Sequence, residues 1–176
     1  MSSNYKSLGI RPVINANATL TKLGGSLMPA EVRQAMQDAA QSFVDMHDLQ
    51  QEVGTRLAEI TRNEAAFVSC GAATGLLLAT AACIMKVSGA TYEDFPNPLG
   101  TQNEVIVQRM HRNPYDYAVQ QAGASLVEIG TMDGTSLADL ENAYSASTVA
   151  IFWFQGAMNQ PSELSLADVI QSAKMH

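Results

Sequence analysis

Charged and aromatic residues are scarce in this sequence. Of its 176 residues, 15% are charged and 6% are aromatic, whereas 47% are hydrophobic. The hydrophobic fraction is too high for a disordered chain, and the composition does not fit a collagenous or disulfide-built protein. The chain is long enough for one ordinary globular domain.

Cysteine is also scarce, which limits redox and metal chemistry. The two cysteines, Cys70 and Cys83, lie in one apolar stretch. Two residues cannot form a disulfide framework, and their spacing does not suggest a zinc site. No cluster of carboxylates or other ligands has metal-binding spacing, so we predict no metal. We expect Cys70 to be structural, because the sequence places no base near it.

Signals for export and for binding of polyanions are lacking as well. The first residues have no apolar core of a signal peptide. Seventeen acidic against ten basic residues give a net charge of -7, which repels phosphate backbones and anionic lipids. The uncharged stretch 65–85 has a polar, small-residue centre and no flanking basic or aromatic belt, which argues against a membrane span. We therefore predict a cytoplasmic protein that binds neither nucleic acid nor membrane.

The first half of the chain predicts helices followed by one strand. Apolar residues recur at helical spacing after Pro29, which predicts a helix ending near Val44. Asp48, followed by Gln51, is predicted to cap a second helix. Residues 65–69 form a short apolar pattern typical of a strand. Residues 72–85 are so apolar that we expect a helix covered on most sides.

The second half alternates strands with helices after a surface loop at 88–103. The predicted strands are 104–108, 125–129 and 148–154, and the predicted helices are 115–121, 137–143 and 166–175, the last two capped by Ser136 and Ser165. Such alternation predicts an α/β fold with a mostly parallel sheet and helices on both faces. We assign 1–62 to an N-terminal arm with helices and 63–176 to the sheet domain.

The sequence stops at His176, directly after a helix and where the pattern calls for another strand. Stopping after four strands would leave an apolar sheet edge uncovered. We therefore expect the domain to be incomplete.

The turn at 69–75 is the first candidate site. It connects a predicted strand to a predicted helix, and open α/β sheets bind ligands at the carboxyl ends of their strands. The free N–H groups of Ala72, Ala73 and Thr74 would suit a phosphate. Neither the dinucleotide nor the nucleoside-triphosphate fingerprint is present. The alternative is that the small residues only allow close packing of helix on sheet.

A basic loop leaves the next predicted strand at the same sheet edge. His111 could stack on a planar ligand or transfer a proton. Arg109 and Arg112 could bind a carboxylate or a phosphate. The alternative is a solvated basic loop.

Four motifs carry a resemblance to a known family. They are Ile10–Ala16, Leu23–Pro29, Ser69–Gly75 and Gln108–Asp116. Together and in this order they resemble the selenocysteine-synthase-like (SelA-like) family of fold-type I pyridoxal-phosphate enzymes, and within it the branch of D-glucosaminate-6-phosphate ammonia-lyases. The resemblance extends over essentially the whole chain.

The resemblance implies an aspartate-aminotransferase-type large domain in a dimer or larger homo-oligomer, acting on a small amino acid or amino-sugar acid phosphate. It implies that His111 faces the pyridine ring of pyridoxal 5'-phosphate. The residues implied to hold the cofactor phosphate are Gly71, Ala72, Ala73 and Thr74. Asn159 and Gln160 are implied, more weakly, to make polar contacts near the cofactor. The resemblance also implies a substrate loop at a subunit interface, with Thr21, Lys22, Gly24 and Gly25. Arg109 and Arg112 are implied to contribute to the same substrate site.

The chain departs from the family pattern in two ways. This sequence opens directly on the first motif, whereas selenocysteine synthases carry a tRNA-binding domain before it, so we expect the lyase branch rather than selenium transferase or a class-V-aminotransferase-like activity. The family's Schiff-base lysine and the aspartate that pairs with the pyridine nitrogen are expected beyond His176, so the catalytic residues are not identified. The alternatives are a non-catalytic phosphate-binding module and an inactive fragment.

Overall fold

The computed structural model describes residues 5–98, 100, 102–154 and 164–176. Contacts divide the chain into two compact units, Met1–Arg56 and Leu57–His176. The second helix crosses this division. The predicted boundary after residue 62 stays a prediction.

The first unit consists of short helical segments and loops. It contains 3-10 turns at Tyr5–Leu8 and Thr21–Leu23, helix α1 at Ala30–Ala39 and most of helix α2 at Met46–Thr61. Most of its large apolar side chains are exposed, and those of Ile14, Leu27 and Phe43 are almost fully accessible to solvent. This unit therefore has almost no apolar core of its own.

The second unit is built on a parallel sheet. Strands β1 (Glu104–Gln108), β2 (Ser125–Ile129) and β3 (Thr148–Phe152) have the order β2-β1-β3, and β1 pairs in parallel with both neighbours. The helices of this unit are α3 (Ala72–Ser88), α4 (Asp116–Gln121), α5 (Leu137–Glu141) and α6 (Leu166–Met175). The α/β class predicted from the alternating pattern is confirmed.

Both faces of the sheet are covered. Val105 packs with Ile84 of α3 and Val119 of α4 on one face. Ile106, which points the other way because strand side chains alternate, packs with Leu140 of α5 and Val169 of α6. The central strand is therefore buried on both sides, as its continuous apolar run requires.

The observed N-terminal caps of the helices agree in part with the predicted ones. Ser136 and Ser165 each form the predicted capping box, with Asp139 and Asp168 respectively. The predicted cap at Asp48 is wrong. Oδ1 of Asp45 instead accepts from the backbone N–H groups of His47 and Asp48 at 2.8 and 3.2 Å, so α2 begins earlier.

The predicted strand at 65–69 is wrong. These residues are not assigned to a strand, and no described strand pairs with them. The side chains of Phe67 and Val68 are 67% and 49% exposed. A strand needs a hydrogen-bonded neighbour, and an apolar run cannot by itself supply one.

Other boundaries and environments also differ from the prediction. Helix α3 ends at Ser88 instead of Met85, and α5 ends at Glu141 instead of Ala143. Helix α1 ends at Ala39 instead of near Val44, and β3 ends at Phe152 instead of Phe154. Helix α3 forms as expected, but its expected burial is wrong, because only Thr80 and Ile84 are fully buried. An uncharged sequence shows what a helix can bury, whereas the neighbouring elements decide what it does bury.

The predicted surface loop at 88–103 packs partly against the sheet unit. Phe95 contacts the apolar cluster beneath α3, and a Cβ on Gly123 would lie 2.7 Å from the Pro96 carbonyl oxygen. Gly123 also has φ +82°, so glycine is required there for two reasons. Within the described part of the chain, no helix is long and apolar enough to cross a membrane.

Candidate functional site

The turn before α3 has a backbone conformation that only glycine adopts readily. Gly71 has φ 139° and ψ 172° and precedes the first helical residue, Ala72. The Ser69 hydroxyl donates to the Gly71 carbonyl at 2.9 Å. A Cβ on Gly75 would lie 3.2 Å from the same hydroxyl oxygen. Small residues are therefore needed both to turn the chain and to let the helix lie close to it.

The first turn of α3 presents free donors. The Gly75 N–H bonds to the Gly71 carbonyl at 2.9 Å, which closes the first helical turn. The N–H groups of Ala72, Ala73 and Thr74 precede that bond and have no acceptor among the described residues. Their residues are exposed, and the 17-residue helix adds the positive end of its dipole. This geometry suits an anion such as a phosphate.

His111 lies where β1 ends, in the 3-10 turn Arg109–His111. Its side chain is buried at 3% exposure, and its ring meets the indole of Trp153 edge to face, with centroids 5.4 Å apart and planes at 90°. The imidazole Nδ1 is buried and has no hydrogen-bond partner among the described residues. The structure thus places a buried, polar ring at the carboxyl edge of the sheet.

Arg112 is held by two carboxylates. Its Nε binds Asp116 Oδ2 and its Nη1 binds Glu128 Oε1, and the hydrogen bond with Asp116 is the main cause of the raised pKa of the guanidinium. Arg109 lies at the edge of this group, with Nε 3.7 Å from Glu128 Oε2 and a side chain that is 60% exposed. Arg112 therefore anchors the loop, whereas Arg109 remains accessible.

The loop after β1 lies next to the first turn of α3. Ala73 lines a cavity of about 200 Å³ together with Pro114, Tyr115, Tyr117, Ala118 and Gln121. The structure therefore brings the first turn of α3 close to the segment that follows His111. Because residues 65–69 form no strand, it is packing of α3 and not strand pairing that places this turn beside the loop after β1.

The described structure does not test the other predicted site residues. Thr21 and Lys22 belong to a 3-10 turn in the first unit, which ends in two glycines with positive φ, Gly24 at 86° and Gly25 at 75°. Asn159 and Gln160 lie outside the described residues. Their roles stay predictions.

The lysines and the cysteines bear on covalent chemistry. Lys86 is in the last turn of α3, roughly 20 Å along the helix from Ala72 at 1.5 Å per residue. Lys174 is in the last turn of α6, and Lys6 and Lys22 are in the first unit.

Cys70 is exposed, contrary to the structural role predicted for it. In the described ranges, no group of residues could hold a metal ion.

Sequence reasoning missed Trp153 and the two carboxylates that bind Arg112. Trp153 directly follows β3, so its place at the same sheet edge as His111 was a usable signal. Asp116 is four residues after Arg112, a spacing typical of helical ion pairs. Glu128 on β2 could not be found, because it meets Arg112 only through strand pairing.

The sequence was compared with family profiles, curated proteins and solved structures. No family profile matches it. It is 35% identical over 154 residues to the 5'-C-glycyluridine monooxygenase-decarboxylase of a Streptomyces species, covering 85% of this chain and 39% of that protein. It is 31% identical over 175 residues to the D-glucosaminate-6-phosphate ammonia lyase of Salmonella typhimurium, covering 97% and 47%. It is 30% identical over 152 residues to the L-seryl-tRNA(Sec) selenium transferase of Alkaliphilus oremlandii, covering 84% and 32%.

A solved structure of a D-glucosaminate-6-phosphate ammonia-lyase matches 99% of this chain, with a TM-score of 0.89 and 30% identity. The predicted resemblance to this family is confirmed. The match also confirms the predicted fold type, because it extends over both the helices and the sheet. The chain spans about a third to a half of the length of the curated relatives and 49% of the solved lyase chain.

Proposed function

We propose that residues 1–176 form the front part of a pyridoxal-phosphate-dependent lyase that eliminates ammonia from an amino-sugar acid phosphate of the D-glucosaminate 6-phosphate type. The observation that carries the proposal is the structural match to such a lyase over 99% of the chain. We further propose that the intact protein is a cytoplasmic homodimer or larger homo-oligomer.

The residues at the sheet edge fit a phosphorylated cofactor. The free N–H groups of Ala72, Ala73 and Thr74 would bind the cofactor phosphate, and Gly71 would allow it to approach the backbone. His111 would lie against the pyridine ring, since it is a buried aromatic ring at the same edge. Asn159 would add a polar contact near the cofactor.

When bound, pyridoxal phosphate supplies an electron sink for the carbanion formed on the substrate. The role of this chain is to bind and orient it. The α3 turn would hold the phosphate end, and His111 would contact the ring from one face. The described lysines lie at helix ends or in the first unit, so we assign the covalent attachment and the pyridine-nitrogen partner to the remainder of the protein.

Arg109 is the better of the two arginines for substrate binding. Arg112 already binds two carboxylates, whereas Arg109 is mostly exposed. A guanidinium at this edge suits the carboxylate or phosphate of the substrate. We propose that the loop containing Thr21, Lys22, Gly24 and Gly25 borders the substrate at a subunit interface.

The deciding experiment measures ammonia release from D-glucosaminate 6-phosphate by the intact protein that carries residues 1–176. We expect turnover that depends on added pyridoxal phosphate. Turnover without the cofactor would contradict the proposal. A protein that binds the cofactor covalently but shows no turnover would contradict it as well. The latter result would favour a non-catalytic phosphate-binding module.

The phosphate turn is tested separately by replacing Ala72 with leucine. A bulky side chain on the first turn should obstruct the anion and weaken pyridoxal-phosphate binding by about tenfold, the equivalent of one lost charge-assisted hydrogen bond. Ala79→Leu, on the exposed part of the same helix, is the matched control. Equal affinity of the two variants would show that the phosphate binds elsewhere.

A second candidate reaction is oxidative decarboxylation of a glycyl-type amino acid, with molecular oxygen as the oxidant. It is favoured by the 35% identity to the monooxygenase-decarboxylase, which is above the identity to the lyase. The two candidates differ in product. Carbon dioxide released from a glycyl nucleoside, with no ammonia from the sugar acid, would select this candidate.

A further inference from the structure

Trp153 and His111 meet because their strands are neighbours. Trp153 directly follows Phe152, which pairs with Val107 of β1, and His111 is four residues beyond Val107. The two rings are perpendicular, with centroids 5.4 Å apart. This edge-to-face arrangement is a favourable geometry for aromatic pairs.

The indole of Trp153 also packs against an apolar cluster of the sheet unit. The cluster is formed by Ile106 and Ile129 of the sheet and by residues from the α5 and α6 segments. The indole is partly buried there, so these contacts restrict its movement on one side. Trp153 therefore offers His111 a ring that is held by packing.

The backbone and the ring of His111 are held by different contacts. The Asn113 side-chain amide donates to the His111 carbonyl at 2.8 Å, and the Asn113 N–H donates to Asp116 at 3.2 Å. These bonds fix the main chain but not the torsions of the imidazole. Nδ1 receives no hydrogen bond from the described residues, so the edge-to-face contact with Trp153 is the described contact that can orient the ring.

We propose that Trp153 is a positioning residue that sets the orientation of the His111 imidazole. The inference rests on the proposed function for its consequence, the alignment of pyridoxal phosphate. Its structural part, the control of one ring by the other, is independent of that function.

The contact is measured first without cofactor. Trp153 is the only tryptophan in the sequence, so indole emission reports on its surroundings alone. We expect His111→Gln to change the intensity or wavelength of that emission, and His47→Gln, in the exposed start of α2, to leave it unchanged. Identical emission from the wild type and the His111 variant would overturn the proposal.

The consequence is measured with pyridoxal phosphate as the probe. We expect Trp153→Leu to weaken binding about three- to tenfold and to shift the absorption band of the bound cofactor, as loss of an aromatic contact predicts. Trp153→Phe should restore both within about twofold, because it keeps a ring edge. Phe152→Leu, which removes a partly buried aromatic ring from the opposite sheet face, is the control and should change neither.

Equal effects of the Trp153 and Phe152 substitutions would overturn the positioning role in favour of general packing. If Trp153→Leu does not fold, a loss of cofactor alignment in the more conservative Trp153→Phe variant would also overturn it. A wild-type protein that binds no pyridoxal phosphate would contradict the proposed function, while the emission experiment would still decide the contact between the rings.

Discussion

At the scale of single residues, the candidate site depends on one glycine. Gly71 combines φ 139° with ψ 172°, a region that is essentially restricted to glycine. Space is not the limit, since a Cβ there would meet nothing within 4 Å. The constraint is therefore the backbone conformation, which aims the first donors of α3 away from the preceding segment.

We predict that Gly71→Ala lowers the free energy of unfolding by about 1–3 kcal/mol, the usual cost of such a strained conformation. Any relief of that strain should rotate the turn and weaken pyridoxal-phosphate binding. Gly134→Ala is the matched control, because Gly134 has no positive φ and an added Cβ would meet nothing. Chemical denaturation and a cofactor titration of both variants check this. Gly71→Ala behaving like the control would refute the prediction.

At the scale of elements, a polar network ties α6 to α5. The Ser172 hydroxyl donates to Glu141 Oε1 at 2.7 Å, and His176 Nε2 lies 2.9 Å from Glu141 Oε2. The His176 ring stacks on Tyr144 with centroids 4.0 Å apart. The hydrogen bond from Ser172, followed by that from His176, lowers the pKa of Glu141.

This lowered pKa predicts a pH dependence of stability. A carboxyl whose pKa is lower in the folded state stabilises the protein above its ordinary pKa, and this contribution is lost as the pH falls through the folded value. We therefore expect the stability difference between the wild type and Glu141→Gln to be largest near neutral pH and to shrink between about pH 5 and pH 3. Urea denaturation across this range measures it.

The control for this experiment is Glu64→Gln, which changes an exposed glutamate in the segment after α2. It should alter the pH dependence less than Glu141→Gln. A difference between wild type and Glu141→Gln that grows on acidification would have the wrong sign and would refute the role of the network.

At the scale of the whole molecule, the chain exposes more apolar surface than a monomer normally shows. Besides the first unit, the extended segment before α3 and one side of α3 leave Phe67, Val68 and Leu78 open to solvent. Phe67 and Leu78 line an apolar groove of about 410 Å³. Large exposed apolar patches mark interaction surfaces or aggregation sites.

We predict that the 176-residue chain by itself self-associates, with an apparent mass that rises with concentration. Light scattering after size-exclusion chromatography measures this. Replacing Leu27 and Phe43 by serine should reduce the association, whereas Met132→Ser, an exposed change in the sheet unit, should not. A monodisperse monomer that melts cooperatively would contradict the prediction.

A prediction about chemistry also belongs to this scale. We expect the 176-residue chain alone not to release ammonia, because Lys86 and Lys174 lie in the last turns of α3 and α6 and neither Lys6 nor Lys22 follows a described strand. Borohydride reduction with pyridoxal phosphate should therefore leave no single lysine stoichiometrically labelled. One fully labelled lysine together with ammonia release would show that the site is already complete in this chain.

The sequence by itself determined the elements whose information is local. Strands β1 and β2 and helix α6 have the predicted bounds, because β-branched runs and serine caps act within a few residues. The turn at Gly71 was predicted for the same reason, since glycine permits a backbone conformation that residues with a Cβ hinder.

Only the tertiary structure decided what depends on partners distant in sequence. Residues 65–69 have the composition of a strand but no neighbouring strand among the described residues, so they do not form one. Strand pairing brings Glu128 to Arg112 and Trp153 to His111, and neither contact can be found from spacing along the chain. Hydrophobic pattern indicates which side chains can be buried, whereas pairing and packing determine which ones meet.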